Sequence, residues 1–385
     1  MKIKYYDLIA LAGIHSGINV AMLKIFMMSF RGYSSVDFYA EPKHADICKN
    51  KMGNKNVNFH SMRLMHQKIF GRGGKMAVRD ALSCIYVVRA FLYSRKNDVL
   101  IFSLAFPFAQ CFIYGLNKLL RRKNVYVCLH GEMEVIIDNS PFKSKRYQHL
   151  TKYILKQKSD IHYIVLGESI FCNLQHLFYD PSKVIVIEHP YEFEDMQTDT
   201  VKSFSPLTIG QIGLGEISKG TDYLFELAKI LETEIRNNQL RIKLVGKLNA
   251  QLLQLDNGLV EFHTDFLSSD DFEKEIKSLH FTLQLVPINK RRVTASGSFF
   301  DTIKYQKPYL SLENEYIGYF HTMEPNSGVM FNSTNEMGDY IKQLINSDFK
   351  SINISYQNSV SSILNLQQNL SLSNIAKNFR QQIQF

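Results

Sequence analysis

The chain has 385 residues, 45% of them apolar and 21% charged, with 20 Gly and 9 Pro, which excludes a disordered or collagen-like protein and favours two domains. The net charge of +9 is unevenly spread: residues 1–190 carry 27 Lys+Arg against 13 Asp+Glu, and residues 191–385 carry 18 against 23. Only one half is therefore suited to an anionic partner, be it nucleic acid, a membrane surface or a phosphorylated substrate.

In chain order, the first half predicts strands at Ile3–Ala12, Val36–Ala40, Val57–Ser61, Asp98–Ser103, Val125–Leu129, Ile161–Leu166 and Val184–Glu188. Helical patterns lie between them at Gly17–Phe30, Lys75–Tyr93, Gln110–Arg121, Ser144–Lys158 and Ser169–Phe178. This βαβα order predicts a parallel sheet with helices on both faces. Two uncharged stretches invite a membrane reading. Val99–Asn117 contains Ser103, Pro107, Gln110 and Gly115 and divides into a strand and a helix. Leu8–Leu23 follows Asp7 and is interrupted by Gly13, His15, Ser16, Gly17 and Asn19, which makes a poor signal peptide. No export or spanning segment is expected. Cys48, Cys84, Cys111, Cys128 and Cys172 form no C-x-x-C pair, and they read as reduced thiols of a cytosolic protein.

The segment Glu188–Ser205 holds His189-Pro190 and the acids Glu192, Glu194 and Asp195, and it reads as a linker. A second α/β series follows. Its strands are predicted at Leu207–Ile212, Arg241–Val245, Val260–Phe262, Phe281–Val286, Pro308–Leu312 and Gly328–Phe331, its helices at Thr221–Arg236, Asp270–Leu279, Gly297–Tyr305 and Asn335–Asn346. The tail Ser355–Gln384 is polar and acid-free, yet Ile363, Leu364, Leu366, Leu370 and Ile375 recur in it as in surface helices. The expected organisation is thus 1–190, 191–355, and helices over 356–385 packing back on the molecule. Open parallel sheets bind at the carboxyl ends of their strands, so ligands are expected across an interdomain cleft.

Two stretches carry chemistry. In the first, a strand ends in a glycine-rich turn at Gly213, and Lys219-Gly220 opens a helix at Thr221; free amides and one ammonium there suit a phosphate. In the second, basic Arg291 and Arg292 precede the small residues Ala295–Ser298 at a helix start. Ser296, Gly297 and Ser298 offer amides and hydroxyls, Asp301 lies one turn on, and Lys307-Pro308 leads into a strand. A plain turn and a plain N-cap would account for each stretch singly. Together they suit a diphosphate and a ribose diol. Gly246, after Leu244-Val245, with Lys247, and Leu285–Ile288 lie on neighbouring strand ends. Asp270-Asp271 reads as a helix start, no Asp-x-Asp occurs, and no His/Cys spacing suggests a metal site.

This pattern, strand-G-x5-K-G-helix, then L-V-G, then Ser-Gly-Ser-x-x-acid-x5-K-P-strand, resembles the nucleotide-sugar half of GT-B glycosyltransferases of the group-4-like ("glycosyl transferases group 1") superfamily. The resemblance implies two Rossmann-like doubly wound α/β domains facing across a cleft. It implies that Lys219 contacts the donor diphosphate, that the amides of Ala295–Gly297 join it, and that Asp301 takes the ribose as the second acid of E-x7-E. Two positions depart from the family: Leu214 follows Gly213 where an Arg is common, and the first acid falls on Val293. Arg291 or Arg292 is the expected substitute cation. In the first half, Gly13, His15, Ser16 and Gly17 resemble the family's acceptor loop. His130-Gly131-Glu132 resembles the H-G beside the reaction centre, with Glu132 a general base if the enzyme inverts.

The basic half has dense Lys and Arg between Lys43 and Lys96, at Lys118, Arg121–Lys123 and Lys143–Arg146, interleaved with Phe70, Tyr86, Phe91 and Tyr93. It suits an anionic membrane or a lipid-linked diphosphate. No recognition helix, RNP-like or zinc motif supports nucleic acid. The expectation is a metal-independent, cofactor-free glycosyltransferase of cell-surface polysaccharide biosynthesis, cytoplasmic and peripheral at the inner membrane face. It would take a nucleoside diphosphate sugar as donor and a glycan, expected to be lipid-linked, as acceptor. A nucleotide-sugar epimerase and an inactive glycan-binding scaffold are the competing readings.

Overall fold

The computed structural model describes all residues except 9–14, 54–55, 65–71, 138–144, 194–200, 202, 289 and 384–385. Two compact units emerge. The first comprises Met1–Glu192, Val293–Ala295 and Leu370–Phe385, and the second Phe193–Arg292 and Ser296–Asn369.

The first unit is built on seven parallel strands: β1 (Lys2–Asp7), β2 (Ser35–Ala40), β3 (Val57–Ser61), β4 (Val99–Ser103), β5 (Val125–Leu129), β6 (Ile161–Leu166) and β7 (Ile185–Ile187), in the order β3-β2-β1-β4-β5-β6-β7. Helices α1 (Ser16–Ser29), α2 (Pro42–Met52), α3 (Arg72–Leu92), α4 (Pro107–Leu120), α5 (Glu134–Ile137), α6 (Lys145–Leu155) and α7 (Glu168–Leu174) make the crossovers. β4 and β5 are buried throughout, as continuous apolar strands covered on both faces must be. The predicted first strand stops at Asp7; residues 9–12 of that prediction lie outside the described residues. α2 was not expected. Its sequence is charged, but Pro42 sits in the first turn, the Glu41 side chain accepts from His44 N–H, and His44, Ala45, Cys48 and Met52 form one buried stripe.

The second unit has six parallel strands, β8 (Leu207–Ile212), β9 (Leu240–Lys247), β10 (Val260–His263), β11 (Phe281–Gln284), β12 (Tyr309–Leu312) and β13 (Gly328–Phe331), in the order β10-β9-β8-β11-β12-β13. They are joined by α8 (Thr221–Ile230), α9 (Glu232–Arg236), α10 (Ser269–Lys277), α11 (Gly297–Lys304), α12 (Glu315–Met323) and α13 (Thr334–Asn346). The starts of α10–α13 are fixed by side-chain caps: Ser268, Ser296, Asn314 and Ser333 each accept from an N–H in the first turn. The Ser268 cap leaves Asp270 and Asp271 as first-turn acids. α12 was also missed, although Asn314 accepts from both Tyr316 and Ile317 N–H.

The tail divides between the units. α14 (Phe349–Asn369) lies in the second, where Tyr356 meets Phe204 and Phe281. α15 (Leu372–Gln382) lies in the first, where Phe379 packs on Phe26 and Phe30. The Gln382 side chain exchanges two 2.8 Å hydrogen bonds with the Val186 backbone, closing the edge of β7. All five cysteines are free; Cys48, Cys84 and Cys128 are buried.

Candidate active site

In each unit the strand order reverses beside the first strand, between β1 and β4 and between β8 and β11. The carboxyl ends of those strands are where a doubly wound sheet binds its ligand.

In the second unit, β8 runs into Gly213, whose φ of +99° belongs to glycine. A Cβ on Gly213 would lie 3.3 Å from Lys219 Nζ and 4.0 Å from Ser298 Cβ, so the glycine turn, the lysine and the start of α11 converge. Two further glycines are dictated by close approach. A Cβ on Gly246 would lie 2.3 Å from Gly213 O, and one on Gly220 would lie 1.8 Å from Leu285 O. β9 is thus pressed on the turn, and the start of α8 on the end of β11. Burial lowers the Lys219 pKa, with Arg291 lowering it further and Glu216 and Asp301 opposing. Gly213, Lys219 and Ser298 therefore converge, with Arg291 and Asp301 within electrostatic reach of the lysine, so that two cations repel each other there. Ser296 caps α11, accepting from Phe299 N–H at 3.3 Å, and its hydroxyl is 3.1 Å from that of Ser298. Gly297 is exposed, with open space beside its α-carbon.

Of the two arginines, Arg291, in a left-handed backbone (φ 54°), lies within electrostatic reach of the lysine. Arg292 is engaged by Glu315, Nε to Oε2 3.0 Å. Lys247 lies over the Phe266 ring, 5.1 Å from its centroid.

The position of Lys219 depends on a residue that sequence reasoning missed. Gln211 on β8 is buried; its Nε2 donates to Lys219 O at 2.7 Å and its Oε1 accepts from the Thr221 hydroxyl at 2.9 Å. That hydroxyl accepts from Glu216 N–H at 3.0 Å. An amide side chain near the end of the otherwise mostly apolar strand Leu207–Ile212 was the available signal.

In the first unit His15 precedes α1 in a left-handed conformation (φ 69°), and its ring lies 5.8 Å from that of His130, edge to face. His130 follows β5, with Nε2 3.0 Å from Ser103 Oγ at the end of β4. Burial, with His15 and His189 adding to it, pushes the His130 pKa down to about 3. It is therefore a neutral imidazole that exchanges hydrogen bonds. Burial, with His15 again adding, depresses His189 to about 4. Ser16 is buried and accepts from Lys51 Nζ at 3.0 Å. Gly17 is exposed, with nothing within 4 Å of where a Cβ would stand. Glu132 lies in the 3₁₀ turn Gly131–Met133, its side chain outside the described ones, and Gly13 is likewise outside the described residues.

A second missed residue is Glu134. Val293, where the resemblance would place an acid, is buried and apolar, but its N–H donates to Glu134 Oε2 at 3.3 Å and the Thr294 hydroxyl donates to the same oxygen at 2.9 Å. A carboxylate from far away in sequence thus lies beside the position that lacks one.

Among the described residues no group of three or more His, Cys, Asp or Glu is arranged to hold a metal ion, and no helix is long and apolar enough to cross a membrane.

No protein-family model and no curated protein matches the sequence. Solved structures do match in shape. Anabaena Alr3699/HepE, crystallised with UDP, is 13% identical, with 98% of each chain covered and a TM-score of 0.65. An E. coli trehalose-6-phosphate protein bound with UDP-2-fluoro glucose is 10% identical, with 99% of each chain covered and a TM-score of 0.61. An α,α-trehalose-phosphate synthase (UDP-forming) from Burkholderia vietnamiensis is 10% identical, covering 97% of this chain and 96% of its own, with a TM-score of 0.58. The chain therefore has the GT-B fold of these glycosyltransferases, two α/β units each built on a parallel sheet, over essentially its whole length.

Proposed function

We propose that this protein is a glycosyltransferase that moves a sugar from a nucleoside diphosphate donor to a hydroxyl of a glycan acceptor. The observation that carries the reading is the convergence of Gly213, Lys219 and Ser298, with Arg291 and Asp301 within electrostatic reach of the lysine, where β8 and β11 end. The fold shared with proteins solved in complex with UDP and a UDP-sugar supports it.

In this mechanism the Lys219 ammonium, the Arg291 guanidinium and the amides opening α11 stabilise charge on the departing diphosphate, the task a divalent cation performs elsewhere. No metal or other cofactor is then required. Asp301 accepts from the ribose hydroxyls. In the first unit, neutral His130 orients a sugar hydroxyl, and Glu132 is the carboxylate for general-base work if configuration inverts. His15, Ser16 and Gly17 border the acceptor.

The acceptor we infer is lipid-linked, in cell-surface polysaccharide biosynthesis, with the protein peripheral at an anionic membrane on its cytoplasmic side. The support is a face on which α3, α4 and α6 pack side by side. Leu92, Phe108, Phe112, Leu119 and Tyr153 are exposed on these helices, which also carry Lys118 and Lys152.

The test incubates the protein with a panel of nucleotide sugars, with and without membrane lipid extract, and measures free nucleotide. Release only with extract is the expected result. Release without it points to hydrolysis or epimerisation, and failure to bind any nucleoside diphosphate removes the reading.

A further inference from the structure

A cavity of about 470 Å3 lies in the first unit between α3 and the β1–β3 end of the sheet. Its size falls within the range of small-molecule sites. Parallel sheets are ordinarily sealed on both faces by apolar helices, yet the strip of sheet beneath this cavity is polar and aromatic. Strand register explains its construction. Tyr6 pairs with Phe102 on one side and Tyr39 on the other, and Tyr39 pairs with His60, so four rings stand in one row across β4, β1, β2 and β3. Successive ring centroids are 5.4, 4.3 and 4.5 Å apart and interplanar angles are 23°, 6° and 16°. A row stacked in this way is stiff, and because the rings face one another it turns edges and hydroxyls, not faces, toward the space above.

The row beneath adds charge. Lys4 pairs with Asp37, and Asp37 with Asn58. The carboxylate is already occupied: Asn58 Nδ2 donates to it at 2.8 Å, and Lys2 and His60 lie at 3.7 and 3.4 Å. Among the described residues no carboxylate lines the cavity, whereas Lys4 and Arg89 do; Asp98, which lies within electrostatic reach of Lys4, accepts from the Lys2 and Arg95 N–H groups. The Lys4 ammonium donates to Tyr93 O at 2.7 Å. On the helix side stand Tyr86 and Tyr93, the latter 76% exposed. Two cations, phenol hydroxyls and flat rings are the donor set for a sugar ring that carries a negative charge. The hydroxyls meet phenols, the C–H face meets the exposed Tyr93 ring on the helix side, and the anion meets Arg89, with the buried Lys4 ammonium adding to the field.

We propose that this cavity is a binding subsite for an acidic saccharide, one bearing a carboxylate or a phosphate. It is separate from the strand ends that carry the nucleotide constellation and does not rest on the nucleotide reading.

The experiment titrates the full chain, by calorimetry or NMR, with a trimer of galacturonate, glucose 6-phosphate, neutral maltotriose and inorganic phosphate. At least one acidic sugar should bind ~10-fold more tightly than maltotriose, and which one does so names the anion. Arg89→Gln should abolish that preference, and Tyr93→Ala, at an exposed site, should weaken the acidic sugar while leaving the melting temperature in place. A saturating nucleoside diphosphate and Lys219→Ala should leave this binding unchanged, so loss of the nucleotide site and loss of this one are told apart. The inference is overturned if maltotriose binds as well as the acidic sugars, if inorganic phosphate alone matches glucose 6-phosphate, or if Arg89→Gln changes nothing.

Discussion

Replacing Gln211 by Met tests whether the diphosphate lysine is held in place by β8. Methionine keeps the unbranched shape but removes the amide. The 2.7 Å bond to Lys219 O and the 2.9 Å bond from Thr221 Oγ1 are both lost, and Thr221 is fully buried. A buried polar group left without its partner costs about 1–3 kcal/mol, and relaxation of the turn recovers part of that, so a net loss of about 2 kcal/mol is expected. For a unit of this size that lowers the melting temperature by about 4–8 °C. Displacing Lys219 also forfeits a charge-assisted bond worth about 1.5–3 kcal/mol, which is roughly 10- to 150-fold in affinity. The assay is calorimetric binding of the tightest ligand among UDP, GDP, ADP and CDP, with a thermal melt beside it. Lys219→Ala should lose a similar affinity without the drop in melting temperature. The double variant should bind no worse than Lys219→Ala alone, because both changes remove one interaction. A Gln211→Met protein that melts early but keeps its affinity would refute the reasoning, since the network would then support only the fold.

Gly246→Ala should weaken the same ligand, because its methyl would stand 2.3 Å from Gly213 O at a φ of +146° and must push the turn away. The cost is roughly 1–3 kcal/mol, while Gly17→Ala, with open space around it, should leave the melting temperature intact. Unfolding free energy should fall as pH drops from 6.5 toward 4. His130 and His189 are depressed to about 3 and about 4, so the unfolded chain takes up protons first, at about 1.4 kcal/mol per pH unit for each imidazole. In His130→Gln the decline between pH 7 and 5 should be visibly shallower, and an unaltered slope in urea titrations would contradict the neutral-imidazole assignment. Chelation with EDTA should leave donor turnover unchanged if Lys219 and Arg291 take the cation's place. Leu119→Asp should reduce sedimentation with phosphatidylserine-containing vesicles and leave nucleoside diphosphate affinity alone.

Much of the architecture was legible because buried parallel strands are continuous apolar runs. Val99–Ser103, Val125–Leu129, Ile161–Leu166 and Leu207–Ile212 are buried along nearly their whole length and stand within their predicted bounds. What escaped were α2, α12 and the four-residue α5, where charge or small size hides the periodicity, and for α2 and α12 the start signals lie in single caps. Within the candidate site, glycines and the lysine on the strand-to-helix turn were readable, since turns and helix starts have local signatures. Gln211 and Glu134 were not, because a polar residue in an apolar strand or a short helix has no local signature of what it touches.

The sequence by itself determined two parallel α/β series, the change of charge near residue 190, and the residue types gathered at the ends of β8 and β11. Tertiary structure decided the rest. It brought Arg291 within electrostatic reach of Lys219 and engaged Arg292 with Glu315, sent α14 and α15 to different units, and lined up Phe102, Tyr6, Tyr39 and His60 across four strands. The physical reason is the same in each case. Local propensity depends on neighbours along the chain, whereas pairing register and electrostatic proximity join residues up to hundreds of positions apart, and only the folded packing fixes which of them meet.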